Sequence, residues 1–375
     1  FGLRHPTLEE TIECVRFSTR LYWKTVYDFN KIVLLLEKLT PIQRSAFVYT
    51  GDMFHLMKYN PEVTHRFITK LSTRIDTIHP DPKGALKQAT EDVRHLAVQL
   101  CPDEMQGVEN PKDIEGTDAH GIYASTVEHV GQVIEEYRNL IRAFWVTVNM
   151  PASLAVMPES IRHTALTGDT DSTIFTVQDW VVWHRGKLGF DKVSIAVAAS
   201  VVFLAAQTVT HLLARMSVNF GIEEKRLHQI AMKNEYFFPV FVPTQVAKHY
   251  FSLISCREGK LYTEYDKEIK GVHLKSSNTS KVVMDSAKKM MEQIMLTITK
   301  EEDIDIHGIL KWVADIERQV ITSIKNGDFD YFRRGQVKNP DSYKLGADST
   351  PYQQYLLWNE VFGPKYGMAP PPPYM

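Results

Sequence analysis

The chain has 375 residues, of which 44% are hydrophobic and 23% charged, with a formal net charge of −2. That size and composition support a sizeable core and argue against long disorder, and the near-neutral balance excludes a global basic field, so a DNA-binding surface must be a local patch. Cys14, Cys101 and Cys256 lack metal-ligand spacing and an even disulfide framework, and point to structural thiols in a reducing, intracellular compartment.

In chain order, Thr7 and Glu10 have the spacing of a capping box. The apolar positions after them (Ile12, Val15, Leu21, Tyr22, Val26, Phe29, Ile32, Val33, Leu36) predict one or two amphipathic helices ending before Pro41. Further helices are predicted over Pro61–Ile75, Pro82–Leu100 and Ser125–Met150, with a Pro-, Gly- and Asp-rich loop from Cys101 to Thr117. A helix over Asp191–Asn219 contains the longest apolar stretch, Val193 to Leu213. The polar residues Gln207, Thr208, Thr210 and His211 interrupt it, and no basic-plus-aromatic pattern flanks it, so it reads as a core helix and not a membrane span. Strands follow at Tyr236–Val242, Ala247–Cys256 and Lys260–Tyr265, then helices at Ser280–Thr299 and Ile306–Ile324, with Asn326-Gly327 as the stop. The tail ends in a proline run expected to be extended.

The chemistry concentrates at Gly168-Asp169-Thr170-Asp171-Ser172. Strand-forming residues on either side, Thr164 to Thr167 and Thr173 to Val177, make this a β-hairpin with two carboxylates at its tip. Carboxylate oxygens suit Mg²⁺, which is usually held by one or two carboxylates plus substrate phosphates. A solvated turn with two aspartates has the same composition, so the hairpin alone does not assign a function.

The wider order of motifs resembles the family B DNA polymerases, particularly bacteriophage replicative enzymes. The hairpin is similar to their third polymerase motif, and Lys248-His249-Tyr250 to the Lys-Lys-Arg-Tyr motif of the palm, with Met232 to Phe237 resembling the strand before it. The run from Lys270 to Lys281 resembles the palm-to-thumb junction. The resemblance covers about residues 125–366. It implies an α+β architecture, with a helical insertion over residues 1–120, the C-terminal part of a palm over 121–272 and a mainly helical thumb over 273–375.

The resemblance further implies template-directed addition of a dNTP to a primer 3′-hydroxyl by two-metal phosphoryl transfer. Asp171 takes the role of metal ligand for two Mg²⁺ ions. Asp169 sits beside the primer terminus and helps hold Lys248, binding metal in some states, and Thr170 lies against the nucleotide. Lys248 and Tyr250, two apart on a strand, would share one face toward the primer–template minor groove. Lys270, Lys275, Ser276, Ser277, Thr279 and Lys281, with Lys267 and Ser280 nearby, would contact phosphates, and Ser280 also suits a helix cap. Aromatic residues Phe329, Tyr331 and Phe332 beside Arg333 and Arg334 suit either base stacking or a thumb core.

The departures from the family pattern are equally specific. Ala247 and His249 replace two cations of the Lys-Lys-Arg-Tyr motif. The first palm carboxylate, a complete fingers helix and an exonuclease carboxylate set are not found. Asp118 to Ser125 only superficially echoes the first motif, whereas Phe1-Gly2 is expected to stand for the last two residues of the fingers motif, Tyr-Gly in the family. The expectation is a piece of a longer or split polymerase, inactive by itself, whose partners are a polypeptide carrying the missing exonuclease, first-motif and fingers portion, primer–template DNA, dNTP and a sliding clamp, with no membrane. A rival reading takes Asp169-Thr170-Asp171-Ser172-Thr173 as the nucleophile loop of a haloacid dehalogenase-type phosphatase, with Asp169 as nucleophile and Asp171 as acid/base.

Overall fold

The computed structural model describes residues 4–17, 25–48, 61–108, 110–144, 164–169, 171–271, 279–327, 331, 353 and 356–367. The chain forms two compact units. One comprises Phe1–Pro239 and Ile254–Asp266, the other Val240–Leu253 and Lys267–Met375. Helices dominate and the sheets are small, so the fold is α+β.

The first unit opens with helices α1 (Leu8–Phe17), α2 (Val26–Leu36) and α3 (Pro41–Val48). The capping box before α1 forms: Glu10 N–H donates to Thr7 Oγ1 at 3.2 Å and Thr7 N–H to Glu10 Oε2 at 2.8 Å. Thr25 and Asp28 build the same reciprocal cap on α2. Helix α4 (Pro61–Ser72) ends three residues before the predicted Ile75.

The single helix predicted over Pro82–Leu100 is two, α5 (Pro82–Gln88) and α6 (Glu91–Leu100). Ala89 turns extended, with ψ 141°, and Thr90 starts the second helix with Glu91 and Asp92 in its first turn, where carboxylates favour the helix dipole. Helix α7 (Asp118–Phe144) begins seven residues before the predicted Ser125. Thr117 Oγ1 accepts from His120 N–H at 3.2 Å and starts it early. Residues Asp118 to Ser125, the superficial echo of a polymerase motif, are therefore its first two turns. Gly121 is needed there because a Cβ would stand 2.4 Å from Ile78 Cγ2.

A hairpin follows, β1 (Ala165–Gly168) and β2 (Thr173–Phe175), then α8 (Gln178–Arg185) and the long α9 (Lys192–Asn219). One apolar core joins these helices. It takes Phe67, Ile68 and Leu71 from α4, Val93 and Leu96 from α6, Tyr123, Val130, Ile134 and Tyr137 from α7, Trp180 and Val181 from α8, and Val197, Val201 and Leu204 from α9. Helices from before and after residue 120 thus share a core. The stretch Lys192–His211 of α9 is long and apolar enough to cross a membrane, and 61% of its most apolar window is buried against these neighbours. Its polar side chains are also satisfied within the unit. Tyr137 and Thr208 hydroxyls lie 2.8 Å apart, Arg138 Nε donates to Gln207 Oε1 at 3.0 Å, and Gln207 Nε2 donates to Asp92 Oδ2 at 2.8 Å.

Strand β3 (Tyr236–Phe237) pairs antiparallel with the far end of β5 (Tyr250–Arg257), in register Tyr236 to Arg257. In the second unit β4 (Val240–Pro243) pairs antiparallel with the near end of β5, from Val240 opposite Leu253 to Pro243 opposite Tyr250. Strand β6 (Lys260–Lys270) also pairs with β5, and Glu258 (φ 47°) and Gly259 (φ 75°) form the two-residue turn that favours such a hairpin. The second unit continues with α10 (Lys281–Thr299), capped by Ser280, and α11 (Ile306–Asn326), capped by Asp305 and ended by Gly327 at φ 70°. Trp312 Nε1 donates to Ser286 Oγ at 3.0 Å and joins the two helices.

Two outcomes follow from this architecture. Trp180→Ala is expected to destabilise the first unit by about 3–5 kcal/mol, read by denaturant unfolding, because an almost fully buried indole leaves a cavity. Asp191 accepts from the Ser194 N–H at 3.1 Å, the Ser194 hydroxyl at 2.8 Å and Arg185 Nη1 at 2.8 Å. Partial burial raises its pKa, but these donors outweigh it and bring the carboxyl down to about 2. A carboxyl lowered by folding stabilises above its unfolded pKa of about 3.9, and that contribution disappears as pH falls toward 2. The wild type should therefore lose stability across this window relative to Asp191→Asn, in thermal melts at matched ionic strength.

Candidate functional site

The hairpin forms as predicted, with its two strands antiparallel. Gly168 faces Thr173, Thr167 faces Ile174, and an irregularity between Ala165 and Thr167 absorbs the extra residue Leu166. The tip is closed by Asp169 N–H donating to Ser172 C=O at 2.8 Å, and the base by Thr176 N–H donating to Thr164 C=O at 2.8 Å. Asp169 and Asp171 are both exposed at this tip. Thr170 lies outside the described residues.

The hairpin's exit is held firmly. Val177 packs against the core and starts α8, and Trp180 N–H donates to Val177 C=O at 3.0 Å. Trp180 and Val181 then enter the core at 2% and 3% exposure. The polar side of α8 is held as well: the His184 ring stacks on His65 with centroids 4.3 Å apart, and His184 Nε2 lies 3.1 Å from Thr69 Oγ1. Two carboxylates are thus presented to solvent from a short hairpin rooted in the core.

The chain's own donors fit part of a divalent-cation site. Asp169 and Asp171 are hard oxygen ligands at one tip, the kind Mg²⁺ takes. Among the described residues, no group of three or more His, Cys, Asp or Glu side chains converges. The cysteines are structural: burial pushes the thiols of Cys14 and Cys101 up to about 11 and that of Cys256 up to about 12, so none is a thiolate at neutral pH.

The Lys248 and Tyr250 geometry corrects the sequence reading. The strand begins at Tyr250, not Ala247, so these residues do not share a strand face. Residues 244–249 form a loop between β4 and β5, closed by Thr244 N–H donating to His249 C=O at 2.9 Å. Lys248 is exposed in this loop with φ 62°, a left-handed conformation uncommon for a residue with a Cβ. Tyr250 is 6% exposed, and its ring packs 4.8 Å from that of Phe241. Sequence spacing alone did not reveal that the loop interrupts the strand.

Of the lysine-and-hydroxyl patch, Lys270 and Lys281 are exposed and Thr279 is half-buried. Lys267 forms an ion pair with Glu292 at 2.7 Å. Ser280 is buried as the cap of α10, as its position before that helix predicted. Lys275, Ser276 and Ser277 lie outside the described residues, as do Phe329, Phe332, Arg333 and Arg334. Tyr331 donates its hydroxyl to Gln319 Oε1 at 3.0 Å.

A residue the sequence reading passed over, Gly271, closes the run after β6. Its φ is 72°, and a Cβ there would lie 2.2 Å from Cδ2 of His249. Glycine lets the backbone come this close, so His249, which stands where the family motif carries arginine, is wedged against the end of β6.

The antiparallel hairpin also removes the phosphatase reading, which requires the Asp loop at the end of a parallel strand. A comparison with protein-family models matches residues 1–375 to the family described as Divergent Family B DNA polymerase. The chain belongs to that family. Its function is accordingly related to DNA polymerase. The match includes the N-terminal helices, for which the sequence motifs had offered no relative. No curated protein and no solved structure shows significant similarity to the chain.

The Gly271 and His249 contact yields a separable test. Gly271→Ala is expected to cost about 2 kcal/mol in denaturant unfolding of the second unit, from left-handed strain plus overlap with the imidazole. Adding His249→Ala should recover the overlap portion and leave the backbone portion in place.

Proposed function

We propose that this chain supplies the third-motif carboxylates and part of the DNA-holding surface of a template-directed DNA polymerase. The observation that carries this reading is the pair of exposed aspartates on a core-rooted hairpin, within a chain matched over residues 1–375 by the family B description. Asp171 holds Mg²⁺ and Asp169 stands beside it, near the primer end. Bound there with the substrate triphosphate, Mg²⁺ supplies charge stabilisation for phosphoryl transfer.

The chain's own contribution is positional. The hairpin fixes two carboxylates at one place, and Thr170, between them in sequence, is assigned to the nucleotide. Lys248, carried on its strained loop, and the exposed Lys270 and Lys281 offer cations to backbone phosphates, contacts that position a duplex without reading its sequence. Thr279 and, by their place in the same sequence run, Lys275, Ser276 and Ser277 are assigned to the same phosphate contacts, and Tyr250 supports the loop from within the sheet. Residues 121–272 act as the palm portion and 273–375 as the thumb, in the manner of a bacteriophage replicative enzyme working inside the cell.

A complete two-metal site of this kind needs a further carboxylate beside these two. We assign that carboxylate, with the fingers and any exonuclease, to a companion polypeptide segment. The remaining partners are primer–template DNA, dNTP and a sliding clamp.

The decisive experiment combines this chain with a polypeptide bearing the first-motif carboxylate and follows primer extension with Mg²⁺ and dNTPs. Asp171→Ala should lower extension by about 10³-fold, since loss of several kcal/mol of charge stabilisation corresponds to roughly that factor. Lys248→Ala should weaken duplex binding and reduce the salt slope by about one, with a smaller effect on the chemical step. Extension that survives Asp171→Ala but not Lys248→Ala would remove Asp171 as the metal ligand.

A further inference from the structure

Helix α11 turns one side to α10, marked by Trp312, which is bonded to Ser286, and by the buried Ser323. Turned away from that side, Ile306, Leu310, Val313, Ile321 and Ile324 are 39–65% exposed. They follow one another at four, three, eight and three residues, so at about 3.6 residues per turn they form one stripe roughly 27 Å long. Glu317 stands in the gap of eight. Single exposed apolar residues are ordinary, whereas five in one row on one helix make a contact surface.

Charge borders this stripe on one edge only. Lys311, Arg318 and Lys325 are exposed and seven residues apart, so they hold one position of a heptad. Lys311 and Lys325 have no ion-pair partner among the described residues. Arg318 pairs with Asp315 at 2.8 Å on the same helix, an exposed contact that water and salt weaken. The other edge, at Ile309, Ile316 and Val320, is apolar and half-buried. Glu317 is exposed in the middle of the stripe and has no ion-pair partner among the described residues.

These charges select among the surfaces that could cover the stripe. In an antiparallel pair of two copies like edges meet, so the basic edge would face itself. A parallel pair would bring two Glu317 carboxylates together in the seam. A lipid surface would draw the same carboxylate into an apolar region, a costly transfer. A helix with an acidic edge meets each group with its opposite. Its carboxylates at heptad spacing face Lys311, Arg318 and Lys325, and a cation in its seam faces Glu317.

We propose that this face of α11 docks an amphipathic helix of a partner protein, with Asp or Glu along its edge and one cation in its apolar seam. The apolar stripe supplies affinity, the basic edge selects the partner and Glu317 fixes the register. A single helix pair buries little area, which places the complex in the transient class. None of these residues is assigned above to metal, nucleotide or duplex.

The test titrates the full chain with a synthetic four-heptad peptide that has isoleucine and leucine in its seam, one seam lysine, and glutamates on both edges. The same peptide with lysines on its edges is the control. Fluorescence anisotropy of the labelled peptide gives the affinity, and the methyl resonances of Ile306, Leu310 and Ile324 give the location. The glutamate-edged peptide should shift these methyls and bind about tenfold tighter than the control, the effect of three exposed charge pairs. Lys311→Glu, Arg318→Glu and Lys325→Glu together should reverse that preference. Leu310→Asp should weaken binding by about thirtyfold, the loss of one buried leucine. All four substitutions fall on exposed positions, and circular dichroism checks that the helices are retained. The comparison of the two peptides on the unaltered chain stands even where a variant misfolds. Equal binding of the two peptides, methyls that do not move, a dimer of the chain in ultracentrifugation that Leu310→Asp abolishes, or binding to phosphatidylglycerol vesicles that Leu310→Asp abolishes overturns the proposal.

Discussion

The candidate site depends on the burial of Trp180 and Val181 in the core of the first unit. A hairpin this short has too little surface to be stable alone. Its strands contain only partly buried or exposed residues, so almost none of its stability comes from its own side chains. The indole provides what the strands lack. With Trp180 in the core and Val177 packed beside it, the chain leaving the hairpin has a fixed direction, and the Thr176 to Thr164 hydrogen bond carries that constraint to the base of the turn. The two aspartates are then exposed at a defined place.

Helix α9 makes this anchor possible. Its apolar length would serve in a bilayer, yet the side chains along it find partners on α4, α6, α7 and α8. The hydrogen bonds from Thr208 and Gln207 are especially informative. They tie the polar positions of the helix to Tyr137, Arg138 and Asp92, so the groups that interrupt its hydrophobicity become cross-links between helices.

The second unit manages a different conflict, between strand geometry and a basic loop. Lys248 is held in a left-handed conformation and His249 is pressed against Gly271, so the loop between β4 and β5 is specified by backbone strain and close approach more than by side-chain burial. Tyr250 secures the strand immediately after it. The position at which the family motif carries arginine thus becomes, in this chain, part of the packing at the end of β6.

The sequence by itself determined the helices with strong caps and clear periodicity, among them α1, α9, α10 and α11, because those signals act over a few residues. It also determined the hairpin and its two aspartates, since glycine and aspartate between strand formers leave few local alternatives. The break between α5 and α6 and the early start of α7 are also local, set at Ala89–Thr90 and by the Thr117 cap. Tertiary structure decided the rest, beginning with the loop carrying Lys248, which is fixed by how β4 pairs with β5. Gly271 needs to be glycine only because His249 arrives beside it. Local propensity cannot encode such contacts, because each is a relation between residues that folding brings together.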